Sequence, residues 1–122
     1  METSSPTLLA ARSVAPFLRQ CQDRGYTVNL IYVWLNSVEL AISRVALRVA
    51  SGGHNIPEAV IRRRYERGRS NFLELYSGLA DRWQAYDNSG TNQLVAFSNN
   101  NNQTINIVRA DTWQQITDYE SN

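Results

Sequence analysis

The sequence predicts an α/β fold: a partial parallel sheet with helices, followed by a C-terminal β-hairpin and a short helix. Three observations carry this. "YTVNLIYVWL" (26–35) is a nearly unbroken apolar, β-branched and aromatic run, the composition of a strand covered on both faces, as in parallel sheets. The stretches on either side of it repeat their apolar residues at helical spacing. After about residue 82 the period shortens and turn residues punctuate short apolar runs. With 122 residues, 43% of them apolar and 19% charged, the chain has the size and composition of one globular domain. No internal repeat is present.

Residues 1–6 read as a frayed leader. Val14, Phe17, Leu18 and Cys21 then recur at i, i+3, i+4 and i+7, with Ser13 placed to cap and Pro16 in the first turn, where a missing N–H costs little. Gly25 stands where a helix-ending C′ glycine belongs. After the strand, "NSVELAISRVALRVA" (36–50) reads as a second helix. Either Asn36, with Glu39 as the reciprocal partner, or Ser37 caps it. Its buried stripe is Val38, Ile42, Val45 and Val49, while Arg44 and Arg48 share another face. Ser51-Gly52-Gly53 stops it. Pro57 opens a third helix with Glu58 in the favourable first turn, running to Gly68. Phe72, Leu75, Tyr76 and Leu79 mark a fourth. "RWQAYDNSG" (82–90) reads as a strand closed by a turn, and "LVAFS" (94–98) with "INIVR" (105–109) as a hairpin around the polar tract "NNNNQ". Asp111 with Gln114 is placed to cap a last helix in "TWQQITDY".

Charge and rare residues exclude several chemistries. The formal net charge is +1 and the isoelectric point about 7.9, too balanced for a general nucleic-acid binder. One cysteine, Cys21, rules out an internal disulfide, and one histidine, His54, rules out a His-pair metal motif. All 12 basic residues are arginine. Without lysine there is no Schiff-base chemistry and no lysine of a G-x-x-x-x-G-K-[ST] phosphate loop. No apolar run approaches a membrane span, and "METSSPTLLAARS" has no basic segment followed by an apolar one. The expected compartment is the cytoplasm.

Arg62, Arg63, Arg64, Arg67 and Arg69 fall within eight positions. A solvated helix face is the simplest reading, with exposed pairs such as Arg62–Glu66 contributing a few tenths of a kcal/mol. Yet like charges so close repel, and Glu58 and Glu66 offset only part of them. Nucleic acid would benefit from a longer stripe with interleaved rings, and Tyr65 is the one aromatic nearby. A compact polyphosphate clamp fits better. Arg64 and Arg67, or Arg63 and Arg67, present guanidinium forks one turn apart, and such forks bind phosphate oxygens bidentately.

A helix reading Arg44-Val45-Ala46-Leu47-Arg48-Val49 leads to a turn reading Gly52-Gly53-His54-Asn55-Ile56-Pro57 and then a helix with Arg63-Arg64-Tyr65-Glu66-Arg67. Asn71, Asp81-Arg82-Trp83 and Tyr86-Asp87-Asn88-Ser89 follow. In this order and spacing residues 8–90 resemble the carboxyl-terminal half of zeta-toxin-like P-loop kinases, with the arginine-rich helix as the lid. The resemblance implies phosphorylation of a small hydroxyl substrate, a UDP-sugar in some members, with ATP and Mg²⁺. It casts Arg64 and Arg67 as catalytic contacts to the transferring phosphates, and Arg63, Asn71, Asp87 and Asn88 as cofactor-binding residues. "METSSPTLLAARS" resembles the segment that follows the family's third core strand, so the phosphate loop and catalytic aspartate would precede these residues. A lid without its cradle is expected to be inactive alone. The chain is then half of a split kinase, a shortened reading of one, or a non-catalytic module that binds a phosphorylated small molecule or a protein.

A second chain bearing the phosphate loop, or a homodimer, is the expected partner, with no nucleic acid and no membrane. His54 is expected to shape the lid turn and Cys21 to sit in the core. Trp34, Trp83 and Trp113 are expected to pack. Asp87 and Asn88 stand either at the ligand-binding end of a strand or in a β-turn.

Overall fold

A computed structural model describes residues 2–3, 9–53 and 55–118, and its architecture is α/β. In chain order the elements are β1 (Glu2–Thr3), α1 (Val14–Asp23), β2 (Asn29–Trp34), α2 (Val38–Ala50), α3 (Glu58–Asn71), a π-helical turn (Phe72–Tyr76), α4 (Ser77–Leu79), β3 (Arg82–Asp87), β4 (Gln93–Ser98), β5 (Asn106–Ile107) and α5 (Ala110–Thr117). The sheet order is β1-β2-β3-β4-β5. β1, β2 and β3 run parallel, and β4 and β5 add antiparallel to them. The parallel half and the C-terminal hairpin are as the sequence predicts, joined in one mixed sheet. Among the described residues no helix is long and apolar enough to cross a membrane.

Both parallel connections join sequential neighbours in the sheet, so right-handed crossovers place their helices on the same face. That face holds the core. Leu30, Tyr32 and Trp34 of β2 join Trp83 and Ala85 of β3 and Ala96 of β4, all nearly inaccessible to water. Phe72 stacks on Tyr32 (centroids 4.5 Å apart) and meets Trp83 edge-on (5.2 Å). Trp113 of α5 stacks on Trp83 (5.6 Å). The three tryptophans pack, as expected, and Cys21 is buried. On the opposite face Asn29, Ile31, Val33, Gln84 and Phe97 are half-buried. β2 therefore alternates rather than being covered on both sides, which corrects the reading from its unbroken apolar run.

Helix ends follow the local chemistry closely. Gly25 (φ +90°) ends α1, with the Gly25 N–H donating to the Gln22 carbonyl (3.0 Å) and Tyr26 N–H to that of Cys21 (3.0 Å). Gly52 (φ +100°) does the same for α2, with Gly52 N–H bonded to Val49 and Gly53 N–H to Arg48. Left-handed backbone favours glycine at both positions. Ser37 is the cap of α2, its Oγ accepting from the Leu40 N–H (3.1 Å), which decides between it and Asn36. Ser13 and Asp111 do not cap: neither α1 nor α5 has a side-chain cap hydrogen bond, and Asp111 lies in the first turn of α5.

Other differences have packing reasons. In α1 the buried side is Ala15, Leu18 and Cys21, and Phe17 turns out to 49% exposure. α2 has no buried residue at all; its stripe meets α3 instead of the sheet. The expected break at Gly68 is absent. α3, the π turn and α4 form one continuous helical run from residue 58 to 79, and Gly68 is buried inside it. The asparagine tract does more than form a polar loop. Asn101 and Asn102 adopt positive φ, and Asn102 Oδ1 accepts from the Trp83 indole N–H (3.0 Å), satisfying a donor in the core. Of the residues read as a leader, Glu2–Thr3 pair with Asn29–Leu30. His54 lies outside the described residues.

Candidate functional site

The parallel strands β2 and β3 both end at the foot of the α2–α3 pair, and the loops there are tied together. The Asn88 N–H donates to the Trp34 carbonyl (2.9 Å), the Asn36 N–H to Ser89 Oγ (2.9 Å), and Arg44 to the Ser89 carbonyl (3.2 Å). Asp87 Oδ1 accepts from both the N–H (2.9 Å) and the hydroxyl (2.5 Å) of Ser89. This is the side-chain-stabilised turn that Asp in "DNSG" favours. Asp87 thus shapes the rim, while Asn88 lines the space above it.

That space is a cleft of about 390 Å³ between α2, α3 and the end of β2. Val33 and Leu35 form its floor, Ala41 and Val45 one wall, and Ile56 and Ile61 the other. The helical period explains why. Ile61, Arg64, Tyr65 and Gly68 fall on one side of α3, and Ala41, Arg44, Val45 and Arg48 on one side of α2. Gly68 lacks a side chain where the helix comes down beside the cleft. The Tyr65 hydroxyl donates to the Leu35 carbonyl (2.5 Å) and pins α3 over the strand end. Burial raises the pKa of Tyr65, with the Arg69 cation acting against the rise. The buried Trp34 indole N–H lies near that hydroxyl and also acts against the rise, but has no partner in good hydrogen-bond geometry.

Three arginines line this cleft from two helices: Arg44, half-buried, and Arg48, exposed, from α2, and Arg64, exposed, from α3. Among the described residues no aspartate or glutamate lines it. A cleft with one sign of charge and low-dielectric walls concentrates anions, and its position beyond the carboxyl ends of parallel strands is where α/β sheets bind ligands.

The clustered arginines divide by role. Arg62 bonds to Glu58 (2.8 Å) and Glu39 (3.3 Å), and these carboxylates raise its pKa; the expected Arg62–Glu66 pair does not form. Glu66 pairs with Arg69 instead (3.2 Å). Arg63, Arg64 and Arg67 form no ion pair among the described residues. All three are exposed; Arg64 lines the cleft, and Arg63 and Arg67 lie outside its lining. Asn71 is buried away from the cleft. Its Nδ2 donates to the Leu9 carbonyl (2.9 Å) and its Oδ1 accepts from Arg12 (3.2 Å), so both ends of the amide are used within the protein. The structure therefore brings Arg64 and Asn88 together, and leaves Arg63, Arg67, Asn71 and Asp87 outside the lining.

Arg44 and Arg48 are the cleft residues not picked out as site residues from sequence. Their signal is their shared face on α2, apart from the apolar stripe. No group of three or more His, Cys, Asp or Glu residues that could hold a metal occurs among the described residues.

No protein-family model matches the chain, and no solved structure matches it. It is similar to an uncharacterised protein of Haemophilus influenzae, 35% identical over 57 residues. That alignment covers 47% of this chain and 41% of the relative, so the chain spans about two fifths of that relative's length.

Proposed function

We propose that this chain is the lid-bearing half of a zeta-toxin-like small-molecule kinase, binding the phosphates of ATP in the α2–α3 cleft. The observation that carries the reading is the convergence of Arg44, Arg48 and Arg64 on one acid-free cleft at the carboxyl end of the parallel strands. Guanidinium forks give charge-assisted bonds to phosphate oxygens about twice as strong as neutral ones. In phosphoryl transfer such groups neutralise charge on the transferring phosphoryl, and one well-placed arginine contributes orders of magnitude in rate. Arg64 takes that role. Arg67, three residues on from Arg64 and outside the lining, is the weaker candidate for a phosphate contact within this chain.

The residues fit the phosphates of ATP but not Mg²⁺. Among the described residues no carboxylate lines the cleft, and Asp87 is engaged by Ser89, so the metal would arrive on the nucleotide or on a partner. The phosphate cradle likewise lies outside these residues, which contain no lysine.

Calorimetric titration of the chain with Mg-ATP tests the proposal. Arg64→Ala should weaken binding by about 10- to 100-fold, the scale of a lost charged hydrogen bond, and Arg67→Ala by less than about threefold. Absence of binding at millimolar nucleotide, or equal losses from both variants, refutes it. Binding without ATP turnover after the phosphate-loop chain is added would favour a non-catalytic phosphate-binding module.

A further inference from the structure

We infer that the α2–α3 cleft holds the base of the nucleotide as well as its phosphates, with the Tyr32 hydroxyl donating to a ring nitrogen of that base. The inference rests on the phosphate-binding reading of the same cleft and adds where the rest of the ligand lies. Besides its arginines, the cleft is lined by Tyr32 and Trp34, which stand two positions apart on the buried side of β2. Both are almost wholly buried, at 4% and 3% exposure. Neither polar end is used within the protein. The Trp34 indole N–H has no hydrogen-bond partner, and the Tyr32 hydroxyl forms no hydrogen bond among the described residues. The Tyr32 ring stacks on Phe72, while Tyr65, Glu66 and Arg69 act electrostatically on its hydroxyl. That end therefore lies beneath α3, on the side where Tyr65 also lines the cleft.

Buried donors without an acceptor are rare in folded proteins, and each costs the desolvation of a polar group. Two of them on one side of one strand, lining one cleft, mark a place where an acceptor binds. The surroundings say which kind. Val33, Leu35, Val45, Ile56 and Ile61 line the same space, so the acceptor belongs to a body with broad apolar faces. A heteroaromatic base has both features. Its faces cover aliphatic and aromatic side chains, and its ring nitrogens accept hydrogen bonds in the plane. Asn88 adds an amide that can both donate and accept along the edge of such a ring. Arg44, Arg48 and Arg64 are left for the phosphates. The volume, about 390 Å³, lies within the range of pockets that take small organic ligands.

The experiment is an NMR titration of the ¹⁵N-labelled full chain with AMP, ribose 5-phosphate, inorganic triphosphate and Mg-ATP. AMP and ribose 5-phosphate differ in the base, and AMP should bind about tenfold or more tighter, the effect of burying one flat ring. Tyr32→Phe keeps the ring on Phe72 and removes only an unpartnered hydroxyl, so the variant should fold. It should weaken AMP by about three- to tenfold, the scale of one neutral hydrogen bond, and leave ribose 5-phosphate and inorganic triphosphate unchanged. Arg64→Ala should weaken every probe.

Equal affinities for AMP and ribose 5-phosphate overturn the inference and leave the phosphate site standing. Unchanged AMP binding in Tyr32→Phe also overturns it, and assigns the hydroxyl to solvent. No binding of any probe, Mg-ATP included, overturns the phosphate reading and this inference together.

Discussion

Asn71 separates a ligand contact from a structural one, because the kinase resemblance casts it as the former and its bonds make it the latter. In Asn71→Ala the Leu9 carbonyl, on a residue only 3% exposed, loses the Nδ2 donor, and Arg12 loses its acceptor. A buried polar group deprived of its partner costs about 1–3 kcal/mol. The space vacated by the amide, roughly 40 Å³, adds about 1 kcal/mol if it fails to collapse. The exposed Arg12 end contributes little. The sum is about 2–4 kcal/mol, a large share of the stability of a domain this size. With a urea slope of about 2 kcal/mol per M, the unfolding midpoint should fall by about 1–2 M, while Mg-ATP affinity of the folded variant stays within twofold. The reasoning fails if the midpoint moves by less than about 0.3 M, and fails differently if stability holds but nucleotide binding disappears.

Phe72→Ala removes the ring held between Tyr32 and Trp83; it should cost about 3–5 kcal/mol in chemical denaturation. Gly52→Ala meets no atom within 4 Å but sits at φ +100°, so the loss should be purely conformational, about 1–2 kcal/mol. Gly53→Ala should add a clash, since its Cβ would lie 2.9 Å from the Arg48 carbonyl oxygen. Burial raises the pKa of Tyr32 far above its ordinary value of 10.0, and Tyr65 and Tyr76 shift upward with loss of solvation as the largest cause in each. The folded state therefore holds these protons where the unfolded chain releases them. Stability should be full below about pH 10 and fall as pH rises above it. Because the chain has no lysine, tyrosine dominates side-chain titration in that range. Tyr32→Phe should flatten part of the alkaline decline when unfolding is measured from about pH 9 to about 11.5, and an unchanged slope would refute the assignment.

Much of the fold was legible because it rests on short-range chemistry. Glycines at 25 and 52 end helices through left-handed backbone that other residues adopt only at a cost, and a strand of β-branched and aromatic residues announces itself in ten positions. The α/β alternation and the final hairpin follow from such local signals. Gly68 misled for the same reason: locally it is a helix breaker, but burial beside the cleft and the packing of Phe72 and Tyr76 carry the helix through it. The unbroken run in β2 misled because composition alone does not say how many faces of a sheet are covered.

The candidate site divides along the same line. That the arginines of 62–69 lie on one helix, and that Arg44 and Arg48 share a face of another, was determined by sequence and the 3.6-residue period. Which of them converge was decided by tertiary structure alone. Rotation of α3, set by Ile61, Tyr65 and Gly68 against the strand end, brings Arg64 to the edge of the cleft and leaves Arg63 and Arg67 outside its lining. Glu39, distant in sequence, claims Arg62, and Leu9 and Arg12 claim Asn71. Helical periodicity sets a residue's angle about its own axis, but only packing against other elements sets what that angle faces.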